Sequence, residues 1–147
     1  MNRHTRENKR KLQHIMAWLR IIGDKVGAYE QYFRHEAREG DARALPPKGK
    51  DKTPVYVEFN VVEGKDENTP NNLRLYCHRA NESVVFLFNG DIKTAKTSQE
   101  CKNVKPHFEL ANKLSKVIDK AFINDEIRWV NNHTDIEIDD GFMLHLD

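Results

Sequence analysis

Cysteine is scarce in this sequence, with Cys77 and Cys101 the two thiols among 147 residues. Two cysteines so far apart cannot build a disulfide framework, and neither has the second ligand at short spacing that a zinc site needs. We expect both to be buried as small hydrophobic side chains in a reducing compartment.

Long apolar runs are also absent, since none approaches the roughly 20 residues that a membrane-spanning helix requires. The opening residues, Met1 to His4, lack the apolar stretch of a secretory signal. The composition, 38% hydrophobic and 32% charged with a net charge of +1, is typical of a globular chain. We therefore expect one soluble cytoplasmic domain over residues 1–147, a length usual for a single domain.

Charge is distributed unevenly along the chain. The first 20 residues are mostly basic, and residues 123–147 are mostly acidic. Segments of opposite sign can attract each other or bind two different partners.

Apolar side chains at helical spacing predict two N-terminal helices. The first stripe ends near Gly23 and the second before Gly40, so the segment 1–39 is predicted to form a helical hairpin. The two stripes consist of Leu12, Ile15, Met16, Leu19 and Ile22, and of Val26, Tyr29, Tyr32, Phe33 and Ala37. Pro46 and Pro47 then predict an exposed connector.

An alternating pattern replaces the helical one over residues 54–89 and predicts a three-stranded antiparallel meander. Its first strand runs from Val55 to Val61, and the other two form a hairpin from Leu73 to Asn89. If Arg79 pairs with Ser83, Cys77 lies opposite Val85 on an apolar face. The opposite face then carries a cation, a phenol and an imidazole, those of Arg74, Tyr76 and His78.

A longer helix over 106–122 is predicted by Pro106 in its first turn and by an apolar stripe that includes Phe108 and Ile118. Residues 127–147 alternate around Asp139-Asp140-Gly141, which predicts a terminal β-hairpin with an acidic first strand. The predicted fold class is therefore α+β, with two N-terminal helices, an antiparallel β-meander, a C-terminal helix and a terminal acidic β-hairpin.

Two local motifs resemble a known toxin family. Leu73-Arg74-Leu75-Tyr76 lies in one strand, and Val85-Phe86-Leu87-Phe88 leads into Lys93-Thr94-x-Lys96-Thr97. Together with the order of elements, these motifs resemble the RelE/ParE superfamily, most closely its HigB-like members, over about residues 8 to 121. The resemblance implies a RelE-like toxin that cleaves messenger RNA, either free or on the ribosome, without a metal or cofactor and is bound by a cognate antitoxin protein.

RNA cleavage by the 2′-hydroxyl needs a proton acceptor, cations for the phosphate and a surface for the base. Arg74 is the candidate for holding phosphate oxygens, with Lys93 and Lys96 adding positive charge. Tyr76 is the candidate for stacking on a base. Alternating Arg, Tyr and His residues are also typical of an ordinary solvent-facing strand.

The proton acceptor is assigned to His78 or to Glu58, which share a face if their strands pair in the matching register. His78 is preferred because imidazole exchanges a proton near neutral pH. A metal nuclease is a weaker alternative. Glu63-Gly64-Lys65 and Asp91-Ile92-Lys93 fit an acid-x-lysine pattern, but no strand-borne partner carboxylate is evident.

The alternative from another class is a non-catalytic protein-binding or regulatory module. Such a module would contact its partner through the sheet edge and the acidic C-terminal hairpin, because sheet edges readily recruit segments of other chains. Neither function requires a membrane.

Overall fold

The computed structural model describes residues 3–35, 42–47, 71–94 and 101–146. Helix α1 (Arg3–Ile21) continues as a π-helical turn (Ile22–Val26), and a 3-10 turn (Glu30–Tyr32) follows. Next come strands β1 (Arg43–Leu45), β2 (Leu73–Arg79) and β3 (Val85–Ile92), helix α2 (Lys105–Ile123) and a hairpin of β4 (Ile127–Val130) and β5 (Asp135–Ile138). This is an α+β fold, as the sequence predicts. None of the described helices is both long and apolar enough to cross a membrane.

Strand β2 lies at the centre of a three-stranded antiparallel sheet, between β1 and β3. Its Cys77 pairs with Arg43 on one side and with Leu87 on the other. The strand predicted from Val55 to Val61 lies outside the described residues. The described neighbour is β1, a segment in which no strand is predicted from the sequence.

The predicted register of the β2–β3 hairpin is wrong by two residues, because Arg79 pairs with Val85 rather than with Ser83. The cause lies in the turn. The Asn81 side-chain oxygen accepts hydrogen bonds from the backbone N–H groups of Ser83 and Val84, at 2.8 and 3.0 Å. This asparagine-closed loop is longer than the tight turn that the sequence predicts.

A β-bulge interrupts the same hairpin between Leu75 and Cys77. Beside the bulge Leu75 pairs with Gly90, where a Cβ atom would lie 1.7 Å from the Arg74 carbonyl oxygen. Only glycine permits so close an approach of two backbones. The bulge therefore depends on Gly90.

Helices cover both faces of the sheet. On one face, α1 packs Ile15 and Trp18 into a core that includes Cys77. On the other face, α2 packs Phe108 into a core that includes Tyr76. Neighbouring residues of β2 are consequently buried on opposite sides, so this strand has no solvent-facing side at its centre.

The second helix of the predicted N-terminal hairpin does not form in residues 27–35. Gly27 has a φ of 95° and ends the π-helical turn, with its N–H donating to the Ile22 carbonyl oxygen at 2.9 Å. Beyond the 3-10 turn, Arg34 exchanges two backbone hydrogen bonds with Ala44, at 2.8 and 2.9 Å. The aromatic residues of this segment have helical spacing, but the backbone pairs with the sheet.

The helix predicted over 106–122 is present as α2, with Pro106 in its first turn. The terminal hairpin is also present, but its turn lies between β4 and β5 rather than around Asp139 to Gly141. In this turn Asn131, Asn132 and His133 adopt positive φ values. Asparagine and histidine tolerate this conformation better than most residue types. The acidic strand is therefore the second of the pair, not the first.

Candidate functional site

Burial removes the predicted site from the surface. Helix α2 packs against Tyr76 and His78, and these two residues and Arg74 are all buried. Tyr76 is 0% exposed, and its ring centroid lies 5.7 Å from that of Phe108. A ring in this position has no face open to an RNA base, which departs from the accessible placement that the sequence predicts.

Arg74 is engaged within the fold. Its Nη1 atom donates to the backbone oxygens of Asn71, at 2.7 Å, and Leu73, at 3.1 Å. These bonds hold the guanidinium group against the start of β2. The side chain therefore stabilises the entry into the strand rather than facing a phosphate.

His78 forms a pair with Asp119 of α2, with 3.0 Å between Nε2 and Oδ1. The imidazole also packs against Phe86, with ring centroids 6.2 Å apart. Within the part of the chain that the structure describes, its Nδ1 atom is buried and has no hydrogen-bond partner. His78 thus links the sheet to α2, a connection that strand periodicity alone does not reveal.

Of the three other predicted site residues, the structure describes Lys93 alone. Lys93 follows β3, its side chain is half-buried, and its backbone N–H donates to the Asn72 carbonyl oxygen at 2.7 Å. Glu58, the predicted alternative proton acceptor, and Lys96, the predicted phosphate contact, lie outside the described residues.

A different group of charged side chains lies at the surface around Glu30, the first residue of the 3-10 turn. The Oε2 atom of Glu30 lies 3.0 Å from Nε of Arg43 and 3.4 Å from Nε2 of His35. Its Oε1 atom lies 3.5 Å from Nη1 of Arg79. One carboxylate thus contacts two guanidinium groups and an imidazole. We refer to these four residues as the Glu30 cluster.

The sheet and the end of α1 together assemble the Glu30 cluster. Arg43 pairs with Cys77, and Arg79 lies two residues further along β2, so both side chains are on the α1 side of the sheet. Because Gly27 ends the π-helical turn, the 3-10 turn that follows lies beside these arginines. Nε of Arg79 also donates to the Ala28 carbonyl oxygen, which holds the turn against β2.

Exposure and charge suit the Glu30 cluster for an anionic ligand. The Glu30 and His35 side chains are 48% and 54% exposed, and those of both arginines reach the surface. Burial raises the pKa of Glu30, but the hydrogen bond from Arg43 and the charges of Arg43, Arg79 and His35 outweigh it and lower the pKa below its ordinary value. Among the described residues of this cluster, two guanidinium groups face one carboxylate, which gives these side chains a net positive charge.

Sequence patterns miss the Glu30 cluster because its members come from three separate segments. Only strand pairing brings Arg43 close to Arg79. One feature of the sequence does point to the cluster. By alternation, Arg79 lies on the same side of β2 as the apolar residues Leu75 and Cys77. A cation at the end of an apolar face needs an ionic or hydrogen-bonding partner.

No protein-family model, curated protein or solved structure matches the chain. Among the described residues, no three histidine, cysteine or carboxylate side chains are grouped so that they could hold a metal ion.

Proposed function

We propose that this protein is a toxin-type, metal-independent endoribonuclease that cleaves messenger RNA through attack of the 2′-hydroxyl and is paired with an antitoxin protein. The Glu30 cluster carries the proposal, because it joins a carboxylate, two arginines and an imidazole at one accessible point. The resemblance of the β2 and β3 motifs to RelE/HigB-like toxins supports it. In this proposal the Glu30 cluster takes the place of the buried Arg74 and His78.

The carboxylate and the imidazole transfer the protons. Glu30 takes the proton of the 2′-hydroxyl, whose oxygen attacks the adjacent phosphorus. The bond between phosphorus and the 5′-oxygen breaks, and His35 donates a proton to this leaving oxygen. The products are a 2′,3′-cyclic phosphate and a 5′-hydroxyl, so the step needs no oxidant or reductant.

The two arginines stabilise the negative charge that develops on the phosphate. A planar guanidinium group can bind two phosphate oxygens at once. Because Arg43 and Arg79 lie 3.0 and 3.5 Å from the Glu30 carboxylate, a phosphate held by them lies close to the proton acceptor. The lowered pKa of Glu30 keeps the carboxylate in the ionised form that accepts a proton.

A non-catalytic protein-binding module is the second candidate, favoured by apolar residues exposed near the acidic hairpin. Ile138, Met143 and Leu146 are all exposed there. Several exposed apolar side chains within one short segment are typical of contact surfaces for other proteins. In that case the C-terminal segment would bind a partner, and the Glu30 cluster would only stabilise the fold.

The nuclease proposal predicts that Glu30→Gln slows cleavage by roughly 10²–10⁴-fold, the usual contribution of a general base. Purified protein is incubated with fluorescent single-stranded RNA in the presence of a chelator, and fragments and cyclic ends are quantified. Glu109→Gln is the matched control, since Glu109 is an exposed carboxylate on α2 that pairs with Lys105. It should cleave like the wild type.

Two outcomes contradict this proposal. Wild-type protein that is folded by circular dichroism but leaves RNA intact contradicts the nuclease function and favours the protein-binding module. Equal cleavage by the wild type and Glu30→Gln shows that the catalytic site lies elsewhere in the chain.

A further inference from the structure

A cavity of about 560 Å³ lies where the end of α1, the turn at Gly27 and the start of β3 meet. This volume is within the range of pockets that hold small organic ligands. Its walls are largely apolar and are formed by Leu19, Ile22, Phe33, Val85 and Leu87. Leu87 is 50% exposed, so the apolar wall is accessible from solvent.

Polar residues form one edge of this cavity. Glu82 and Ser83, from the turn between β2 and β3, contribute to its lining. The Glu82 carbonyl oxygen accepts a hydrogen bond from the Ala28 N–H at 2.8 Å, which fixes this turn relative to the cavity. Apolar walls with a polar edge match a nucleobase, whose flat faces are apolar and whose edge carries hydrogen-bonding groups.

One buried residue, Ala28, separates the cavity from Arg79 of the Glu30 cluster. Ala28 lines the cavity, and its carbonyl oxygen accepts a hydrogen bond from Arg79. Arg79 in turn contacts the Glu30 carboxylate. A nucleotide joins a flat base to a phosphate through one ribose, so it carries the two groups that these neighbouring places would bind.

We propose that this cavity is a nucleobase subsite, holding the base of the nucleotide whose phosphate is bound by Arg79. This inference rests on the nuclease function proposed above. Charge complementarity favours a nucleotide, because Arg79 matches the phosphate and Glu82 matches N–H donors on the base. An apolar peptide would fill the walls but leave both charges unmatched. Guanine fits best, since two neighbouring N–H donors on its edge can face one carboxylate.

Binding is tested with guanosine 3′-monophosphate, which has no bond that the proposed reaction would cleave. Methyl resonances of Leu19, Val85 and Leu87 should shift in NMR titrations of the wild-type chain. Leu87→Gln should lower the affinity measured by calorimetry roughly tenfold, because an apolar stacking surface is lost. Leu110→Gln, at an exposed leucine of α2 away from the cavity, is the matched control and should bind like the wild type.

A second variant tests the polar edge without touching the apolar walls. Glu82 is exposed, so Glu82→Gln should leave the fold intact. The wild type should prefer guanosine over adenosine 3′-monophosphate, and Glu82→Gln should reduce this preference roughly tenfold. An unchanged preference overturns the assignment of Glu82 and, with unshifted cavity methyls, the subsite itself.

Failure of the subsite and failure of the nuclease can be told apart. Cleavage that requires Glu30, with nucleotides shifting none of the cavity methyls, overturns the subsite and leaves the nuclease in place. Nucleotides that bind the cavity of a chain without cleavage activity support the subsite and overturn the nuclease. Methyl shifts caused by an apolar peptide but not by nucleotides overturn the subsite in favour of a protein partner.

Discussion

His14 of α1 is buried beside Asn71, just before β2, and its protonation state matters for stability. Its Nδ1 atom lies 2.9 Å from the Asn71 amide nitrogen, which also donates to the Lys11 carbonyl oxygen at 3.0 Å. An amide nitrogen is a donor, so Nδ1 must accept and carry no proton. Burial lowers the pKa of His14 to about 4, which means that the fold requires the neutral imidazole.

We therefore predict that the protein loses stability in mild acid. A histidine whose pKa is lowered by folding contributes its full stability above its unfolded pKa and loses it as the pH falls towards the folded value. With a shift from 6.5 to about 4, the free energy of unfolding should fall by about 2 kcal/mol between about pH 7 and about pH 5. Urea denaturation at several pH values measures this slope.

His14→Gln keeps a hydrogen-bonding side chain at this position but does not titrate, so its unfolding free energy should vary less over the same pH interval. His145→Gln removes an exposed histidine and should retain the wild-type slope. Equal slopes for the wild type and His14→Gln would assign the acid sensitivity to other groups.

At the scale of elements, the β2–β3 hairpin depends on one glycine. A Cβ atom at Gly90 would lie 1.7 Å from the Arg74 carbonyl oxygen, so Gly90→Ala must separate the two strands at the bulge. We expect a loss of roughly 2–4 kcal/mol in unfolding free energy, measured by urea denaturation.

Gly23→Ala provides the matched control for this substitution. Gly23 lies in the π-helical turn, and no atom lies within 4 Å of the place its Cβ would take. Alanine should be neutral there or stabilise by up to about 1 kcal/mol. A similar loss of unfolding free energy at both positions would mean that the effect of Gly90→Ala does not come from the close contact at the bulge.

The sequence predicts an element well when residues within that element determine its structure. Helix α2 has Pro106 at its start and a continuous apolar stripe, so local patterning is sufficient. The segment after Gly27 shows the opposite case. Its aromatic spacing fits a helix, but Arg34 finds its backbone partner in Ala44, and short-range patterns do not contain that pairing.

The same distinction explains the candidate site. Alternation places Arg74, Tyr76 and His78 on one side of a strand, yet it cannot show that all three are buried. The Glu30 cluster also cannot be predicted from short-range sequence patterns, because Arg43 and Arg79 are brought together by strand pairing. The sequence can thus predict which residues share one side of a strand, whereas the exposure of that side to solvent depends on the whole fold.

At the scale of the whole molecule, two of the described regions carry charge of opposite sign. The Glu30 cluster has more cations than anions, whereas the terminal hairpin has more anions. Arg128 is held within that hairpin by Asp139, at 2.6 Å, and by Glu137, at 3.9 Å. If the chain binds RNA as proposed, the RNA should approach the cluster and avoid the hairpin.

This distribution predicts how RNA binding responds to salt. Each phosphate neutralised on a single strand contributes about −0.7 to the slope of log K against log salt concentration. Arg43→Gln should therefore weaken binding and reduce the steepness by roughly 0.7, measured by fluorescence anisotropy with a 2′-O-methyl oligonucleotide that cannot be cleaved. Arg128→Gln, which alters a cation of the acidic hairpin, should leave the slope unchanged. If the slope falls in Arg128→Gln and not in Arg43→Gln, RNA contacts the hairpin, and the Glu30 cluster is not the phosphate site.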